Sequence, residues 1–303
     1  MAEVTKPMAL DETLQDVADA LDDLTDGYAG KTAYESAVDG GYELPESQFD
    51  SDLESQKYFT RPNLLDNWYF VGGGSQQGGG QFPINQRGQT SYSSTGMCID
   101  RWALQRKDST VTFSYDVQTG KVEKTASSGN YFQMYQRIEC PLPANTKMTL
   151  SCLYSGGVNW TVLVQRMDNW AAIAIINIDS DGNNALKSYT FDSPGSKVQV
   201  LIGMTQTASG SIFPKAVKLE LGDTQTLAHQ DADGNWVLNE IPDYNQQLLR
   251  CQRYYRVNRT SGTSTYYGIS NNAKDLRPEM RTTPSTGSFT LNGVTYYYRS
   301  AEL

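Results

Sequence analysis

Trp160 and Trp170 each sit among small polar residues, in "GGVNWTV" and "RMDNWAA". A flat indole face can stack on a pyranose ring, while neighbouring amides and carboxylates take the sugar hydroxyls. Asn159 stands beside the first tryptophan, and Asp168 and Asn169 stand beside the second. A strand rises about 3.3 Å per residue, so tryptophans ten residues apart share one end of a sheet only if the chain turns between them. Asp and Asn favour turns, which puts the turn at 167–170. Trp170 is then at a loop tip and Trp160 at the opposite rim, and a single ligand surface holds only one of them. The candidate platform is Trp170 with Asp168 and Asn169, and Trp160 is the second candidate. Trp102, in "IDRW", is expected in the core.

Other residue patterns point away from catalysis. The insert "GGGSQQGGGQ" has neither the Lys-Ser/Thr of a phosphate-binding loop nor the strand–GxGxxG–helix setting of a dinucleotide site, and reads as a surface loop. It interrupts a first strand expected from Asn63 to Phe70, with the chain returning at Phe82 to Gln89. In "DSDGNN" and "DADGNW" glycine is fourth, whereas a calcium loop needs it sixth after alternating ligands. Both fit hairpin turns. His229 is the single histidine, in a polar stretch without a nucleophile elbow. A glycosidase needs only two carboxylates, but no pair is marked. No enzyme activity, catalytic residue, metal or cofactor is expected. Cysteines 98, 140, 152 and 251 have neither CxxC nor Cys/His spacing, which argues against zinc. A hairpin at "PLPAN" would keep 140 and 152 apart, so all four are expected as free thiols in a reducing compartment. The sequons at Asn159 and Asn258 matter only on a secretory route.

These candidates must be positioned by a chain of 303 residues that is 38% apolar and 19% charged. Ser, Thr, Asn, Gln, Gly and 19 Tyr fill the difference, a composition of many short strands and polar turns. The net charge of −9 is uneven: residues 1–60 hold 15 acidic and 3 basic side chains, and the rest of the chain is close to neutral. An acidic head and neutral body lack the basic face that nucleic acid needs. No N-terminal apolar segment and no apolar run of 18 residues is present, so neither a signal peptide nor membrane insertion is expected.

Three regions follow, at 1–57, 58–223 and 224–303. In the first, Leu14 and Leu21 occupy a positions and Leu10, Val17 and Leu24 occupy d positions of a heptad seam. Such a narrow stripe on an acidic helix predicts self-association, with three or four strands. A helix–turn–helix follows over 32–56, broken at Gly40-Gly41. From residue 58 the apolar period becomes two. Met148, Leu150, Cys152 and Tyr154 alternate with polar residues, as do Val198, Val200, Ile202 and Met204, and Val217, Leu219 and Leu221 alternate with Lys218 and Glu220. About eight to ten such strands without helices between them predict an antiparallel β-sandwich of the jelly-roll type. In the last region, Leu248, Leu249, Cys251 and Tyr255 fit one helical face, and short strands follow as a small C-terminal β element.

The series "NLLDNWYF", "INQRGQTSY", "IDRW", "KLELG", "RCQRYY" and "LRPEMRTTP", over about residues 62–284, resembles phage and prophage fibre proteins of Gram-positive hosts. "TAYESAVDGGYELPESQFDSDLES" is similar to a short module of phage fibres and surface proteins, with Phe49 where that module carries Trp. The resemblance implies a trimeric virion protein whose jelly roll resembles carbohydrate-binding modules. The expected partners are two more copies of the chain, a tail or capsid protein held through the N-terminus, and a host surface polysaccharide. A head fibre or capsid decoration protein without a receptor role, and a cell-wall polysaccharide depolymerase, are the alternatives.

Overall fold

The protein is described by a computed structural model over residues 33–41, 43, 45–47, 60–71, 82–114, 120–126, 130–180, 182–204, 209–259, 279–291 and 293–302. The heptad seam at Leu10, Leu14, Val17, Leu21 and Leu24 lies outside these residues, as does the glycine-rich insert. The chain forms two compact units, Met1–Tyr58 and Phe59–Leu303. In the first, helix α1 spans Ala33–Asp39. It stops at Gly40-Gly41, where Gly41 takes φ +97 and its N–H returns to the Val38 carbonyl at 2.9 Å, a backbone that glycine adopts without penalty.

The second unit is built on two six-stranded antiparallel sheets. The first sheet runs β1 (Ser91–Tyr92), β4 (Ser109–Phe113), β5 (Val122–Ala126), β12 (Ser209–Leu221), β7 (Ala144–Gly157) and β10 (Ala185–Pro194). The second runs β2 (Gly96–Met97), β3 (Ala103–Arg106), β6 (Phe132–Arg137), β11 (Val198–Met204), β8 (Trp160–Arg166) and β9 (Ala172–Ile178). The consecutive strands β5 to β12 thus appear as 5-12-7-10 in one sheet and 6-11-8-9 in the other, a jelly-roll-like order. Alternation explains the packing. Phe132, Met134, Val162, Val164, Ala174, Ile176, Val200 and Ile202 of the second sheet are buried in one apolar cluster with Val111, Val122, Met148, Leu150, Cys152, Val217 and Leu219 of the first. Cys98, Cys152 and Cys251 are buried, Cys140 is exposed, and all four are free thiols. Burial pushes the Cys98 thiol up to about 12, which keeps it protonated and unreactive.

Two expected hairpins are instead sheet-to-sheet crossings. β6 pairs with β11, and β7 pairs with β10 and β12, so "PLPAN" carries the chain from one layer to the other. "DSDGNN" likewise leads from β9 to β10 in the opposite sheet. "DADGNW" does close a hairpin, between β13 (Ala228–Gln230) and β14 (Trp236–Leu238). There the Asp231 carboxylate accepts from the Asp233 and Asn235 amides at 3.0 and 2.8 Å.

The segment 63–70 does not form the expected strand. It touches β12 through one bridge, Tyr69 to Ala216, and a few backbone bonds such as Leu64 N–H to the Leu219 carbonyl at 2.9 Å. Its polar side chains take over the backbone groups. Asn63 Oδ1 accepts from Leu65 and Leu219, and Asn67, at φ +51, donates to the Ile84 and Asp100 carbonyls at 2.8 Å each. Asn is among the few residues that tolerate that left-handed backbone. Gly120, at φ +54, lies so near that any Cβ there would overlap the Phe70 carbonyl. With Leu65, Trp68 and Phe70 buried, this segment acts as a cover.

Thr60 and Thr226, which flank β12, account for a second departure. Lys218 and Glu220 are both fully buried, while Leu221 is 43% exposed. Lys218 Nζ donates to Thr60 at 2.6 Å and Thr226 at 3.0 Å. It lies 3.7 Å from Glu220, which itself accepts from the Thr226 amide at 2.7 Å. Burial pushes the Lys218 ammonium below its usual range.

Helix α2 (Tyr244–Gln252) is capped by Asp243, whose carboxylate accepts from the Gln246 amide at 2.8 Å. Gln247 and Cys251 are its buried residues, Leu249 is half exposed and Tyr255 has already left the helix. Leu248 packs against the core as expected, whereas Leu249 yields to Gln247, whose Oε1 accepts from the Asn67 amide at 3.0 Å. Asp66 holds the helix by an ion pair to Arg250 at 2.6 Å and pairs also with Arg101 at 2.9 Å. A three-stranded antiparallel sheet follows, in the order β15 (Tyr255–Arg259), β17 (Val294–Ser300) and β16 (Ser285–Leu291). Among the described residues no helix is long and apolar enough to cross a membrane.

Candidate glycan-binding face

The connection 167–171 joins β8 to β9, turning at 167–169 and leaving Trp170 at the end of the turn, 55% exposed. Trp170 has φ +60, a region that bulky side chains avoid and that commonly marks functional strain. The turn is held from below. Arg166 donates through Nε to Asp168 at 2.9 Å, and Asn169 Oδ1 accepts from the Ala171 amide at 3.0 Å. The Arg166 hydrogen bond keeps the Asp168 carboxylate below its ordinary range. Asp168 and Asn169 therefore shape the turn, and Trp170 is the side chain it presents. Trp160, expected at the opposite rim, is 3% exposed and packs edge-on against Tyr154 with centroids 6.2 Å apart. It shares the inward row of β8 with Val162 and Val164, so the structure does not bring the two tryptophans together.

Next to this turn, and joined to it by the Gln165 hydrogen bond to the Trp170 carbonyl, lies a surface that a linear reading misses, the outer face of the second sheet. Register puts Ala103, Tyr135, Leu201, Leu163 and Ile175 in one row across five strands. A row on one side of it carries Gln105, Gln133, Gly203, Thr161 and Asn177. A row on the other side carries Arg137, Gln199 and Gln165, ending at Ala172. The centre is apolar and aromatic, the flanks are amides and a hydroxyl, and Arg137 sits 5.4 Å from the Tyr135 ring centroid. Gly203 leaves the middle of its row without a side chain.

The amides form a relay towards the tryptophan. Gln199 Nε2 donates to Gln165 Oε1 at 2.8 Å, and Gln165 Nε2 donates to the Trp170 carbonyl at 2.6 Å. Gln199 is 5% exposed, and its Oε1 is buried without a hydrogen-bond partner among the described residues. An unsatisfied buried acceptor costs about 1–3 kcal/mol, so it is an open position for a donor. Among the described residues no group of three or more His, Cys, Asp or Glu could hold a metal. The only sequence signal for this face was that "FQMYQR" alternates Phe and Met with Gln, Tyr and Arg rather than with ordinary surface charges. Its neighbours on β11 and β8 come from strands far along the chain.

No protein-family model matches the chain, and no curated protein matches it. Solved structures with partial likeness include the enzymatically active domain of bacteriophage CBA120 tailspike protein 4, at 16% identity and a TM-score of 0.33 over 40% of this chain. The match spans 19% of the tailspike chain. TmCBM61 in complex with β-1,4-galactotriose matches at 13% identity and a TM-score of 0.31, over 53% of this chain and 99% of its own. A family 11 carbohydrate-binding module from Clostridium thermocellum matches at 11% identity and a TM-score of 0.25, over 43% and 88%. Likenesses of this size define neither fold nor activity, and both rest on the residues described above.

Proposed function

We propose that the protein is a non-catalytic glycan-binding protein whose ligand lies across the outer face of the second sheet and against Trp170. More specifically, it serves as a homotrimeric phage fibre that contacts a host surface polysaccharide. The observation that carries the glycan reading is the outward row of Tyr135, Leu163 and Ile175, flanked by Gln133, Gln165 and Asn177, with Gln165 bonded to the backbone of the exposed Trp170. Aromatic and apolar rings match the apolar face of a sugar, and neutral amides both donate to and accept from its hydroxyls. The fibre reading is supported by the motif series over 62–284 and the heptad seam over 10–24. The acidic N-terminal unit would then trimerise and attach to the virion, leaving the sandwich to face the host. Leu10, Leu14, Val17, Leu21 and Leu24 are the residues assigned to assembly.

Cosedimentation of the full chain with Gram-positive cell walls tests both parts. Tyr135→Ala and Trp170→Gly should each weaken binding about tenfold, the equivalent of about 1.4 kcal/mol. Glycine accepts φ +60 freely, so the melting temperature of Trp170→Gly should stay level or rise. Unchanged binding in both variants refutes the face. Light scattering should give three times the 33.6 kDa chain mass, and a monomer mass refutes the trimer.

A further inference from the structure

A cavity of about 690 Å³ opens between the loop 87–91 and one face of the C-terminal sheet. Its floor is a built charge cluster. The Arg87 guanidinium lies 3.6 Å over the Tyr255 ring, is 3.3 Å from Asp100 and pairs with Glu302 Oε2. Gln86 fixes this cluster, donating to the Tyr255 carbonyl at 2.7 Å and from its amide N–H to Asp100 at 3.1 Å. Glu302 is different. Its side chain is 5% exposed, yet Oε1 is buried and has no hydrogen-bond partner among the described residues. Burial pushes the Glu302 carboxyl up to about 7 and Asp100 up to about 6. One guanidinium already faces two carboxylates, so no surplus positive charge remains for a phosphate or carboxylate ligand.

The opposite wall is aromatic. Tyr298 lies between Tyr255 and Phe289, with ring centroids 5.4 and 6.4 Å away. Gly287 pairs with Tyr298 across the strands, and a Cβ there would overlap the Tyr298 ring and hydroxyl. Glycine at that position is what lets the ring lie flat across the sheet. Thr90, Ser285 and Ser300 add hydroxyls to the lining. The volume is that of small-molecule pockets, in which an apolar wall supplies area and a few polar groups fix orientation.

We propose that this cavity is a second saccharide site, distinct from the sheet face, that takes a short neutral sugar with a hydroxyl hydrogen-bonded to Glu302 Oε1 and a ring against Tyr298 and Phe289. An open buried carboxyl oxygen pairs with a hydroxyl whether the carboxyl is ionised or protonated, two carboxyls around one guanidinium exclude an anion, and the flat wall selects a ring. The site stands independently of the sheet-face reading.

The test uses the full chain carrying Tyr135→Ala and Trp170→Gly, which removes the contribution of the face. Maltotriose, cellotriose and chitotriose are titrated by calorimetry and saturation-transfer NMR. At least one should bind at one site per chain, and Phe289→Ala or Glu302→Gln should weaken it about tenfold, with melting temperatures recorded for both. Binding of none of the three overturns the site, as does binding indifferent to both substitutions in folded protein. Occupation of the cavity by inorganic phosphate or by tetramethylammonium in place of the sugars overturns the neutral class. Failure of the sheet face reads separately, as wild-type wall binding that survives Tyr135→Ala and Trp170→Gly.

Discussion

Trp102→Ala should lower the stability of the sandwich by about 3–5 kcal/mol, the cost of truncating a fully buried tryptophan. Trp102 has no exposed surface, and its indole N–H donates to the Asn67 carbonyl at 3.0 Å. Its ring packs on Phe70 with centroids 5.6 Å apart, and its own carbonyl accepts from the Cys98 amide at 2.9 Å. One side chain therefore ties the covering segment 63–70 to the "CIDRW" loop, which also carries Asp100 under the cavity. Urea denaturation checks the value. Trp170→Gly in the same experiment should stay within about 0.5 kcal/mol of wild type, as surface substitutions do. A Trp102→Ala midpoint equal to that of wild type would contradict the packing.

Lys218→Met should cost a similar amount, about 3–5 kcal/mol, because it leaves the Glu220 carboxylate buried without its cation. The loss is one of pairing rather than of bulk, and a double substitution shows it. Lys218→Met with Glu220→Gln removes both charges while an amide oxygen remains to accept from Thr226. It should recover more than half of the lost stability, since replacing both partners of a buried pair is often close to neutral. Two single losses that simply add in the double variant would mean that the ammonium and carboxylate do not depend on each other.

The β class was legible because period-two alternation is local, as in Met148, Leu150, Cys152 and Tyr154. The layer to which each strand belongs was not. "PLPAN" and "DSDGNN" have the same turn chemistry whether they close a hairpin or cross between sheets, and long-range pairing decides between the two. Lys218 and Glu220 read as a solvent row for a related reason: their partners Thr60 and Thr226 arrive from outside the strand, and alternation within it does not show them. The segment 63–70 in turn reads as a strand by composition, yet Asn63 and Asn67 divert its backbone bonds to side chains. The exposed position of Trp170 was legible because Asp168 and Asn169 mark its turn. The grouping of Tyr135, Leu201 and Gln165 was not, because their adjacency exists only once β6, β11 and β8 are paired.

The central claim is that a glycan lies on the outer face of the second sheet and against Trp170, and hydroxyl-radical footprinting with purified Gram-positive cell-wall polysaccharide tests it most directly. Oxidation reads side chains one by one, and the face offers Trp170, Tyr135 and Ile175 as reporters. Tyr189 on β10 of the first sheet and Leu249 on α2, 48% and 50% exposed, serve as internal controls. The account predicts that polysaccharide protects Trp170, Tyr135 and Ile175 while Tyr189 and Leu249 oxidise as before. Protection of Tyr189 or Leu249 with Trp170 and Tyr135 still fully reactive would contradict it.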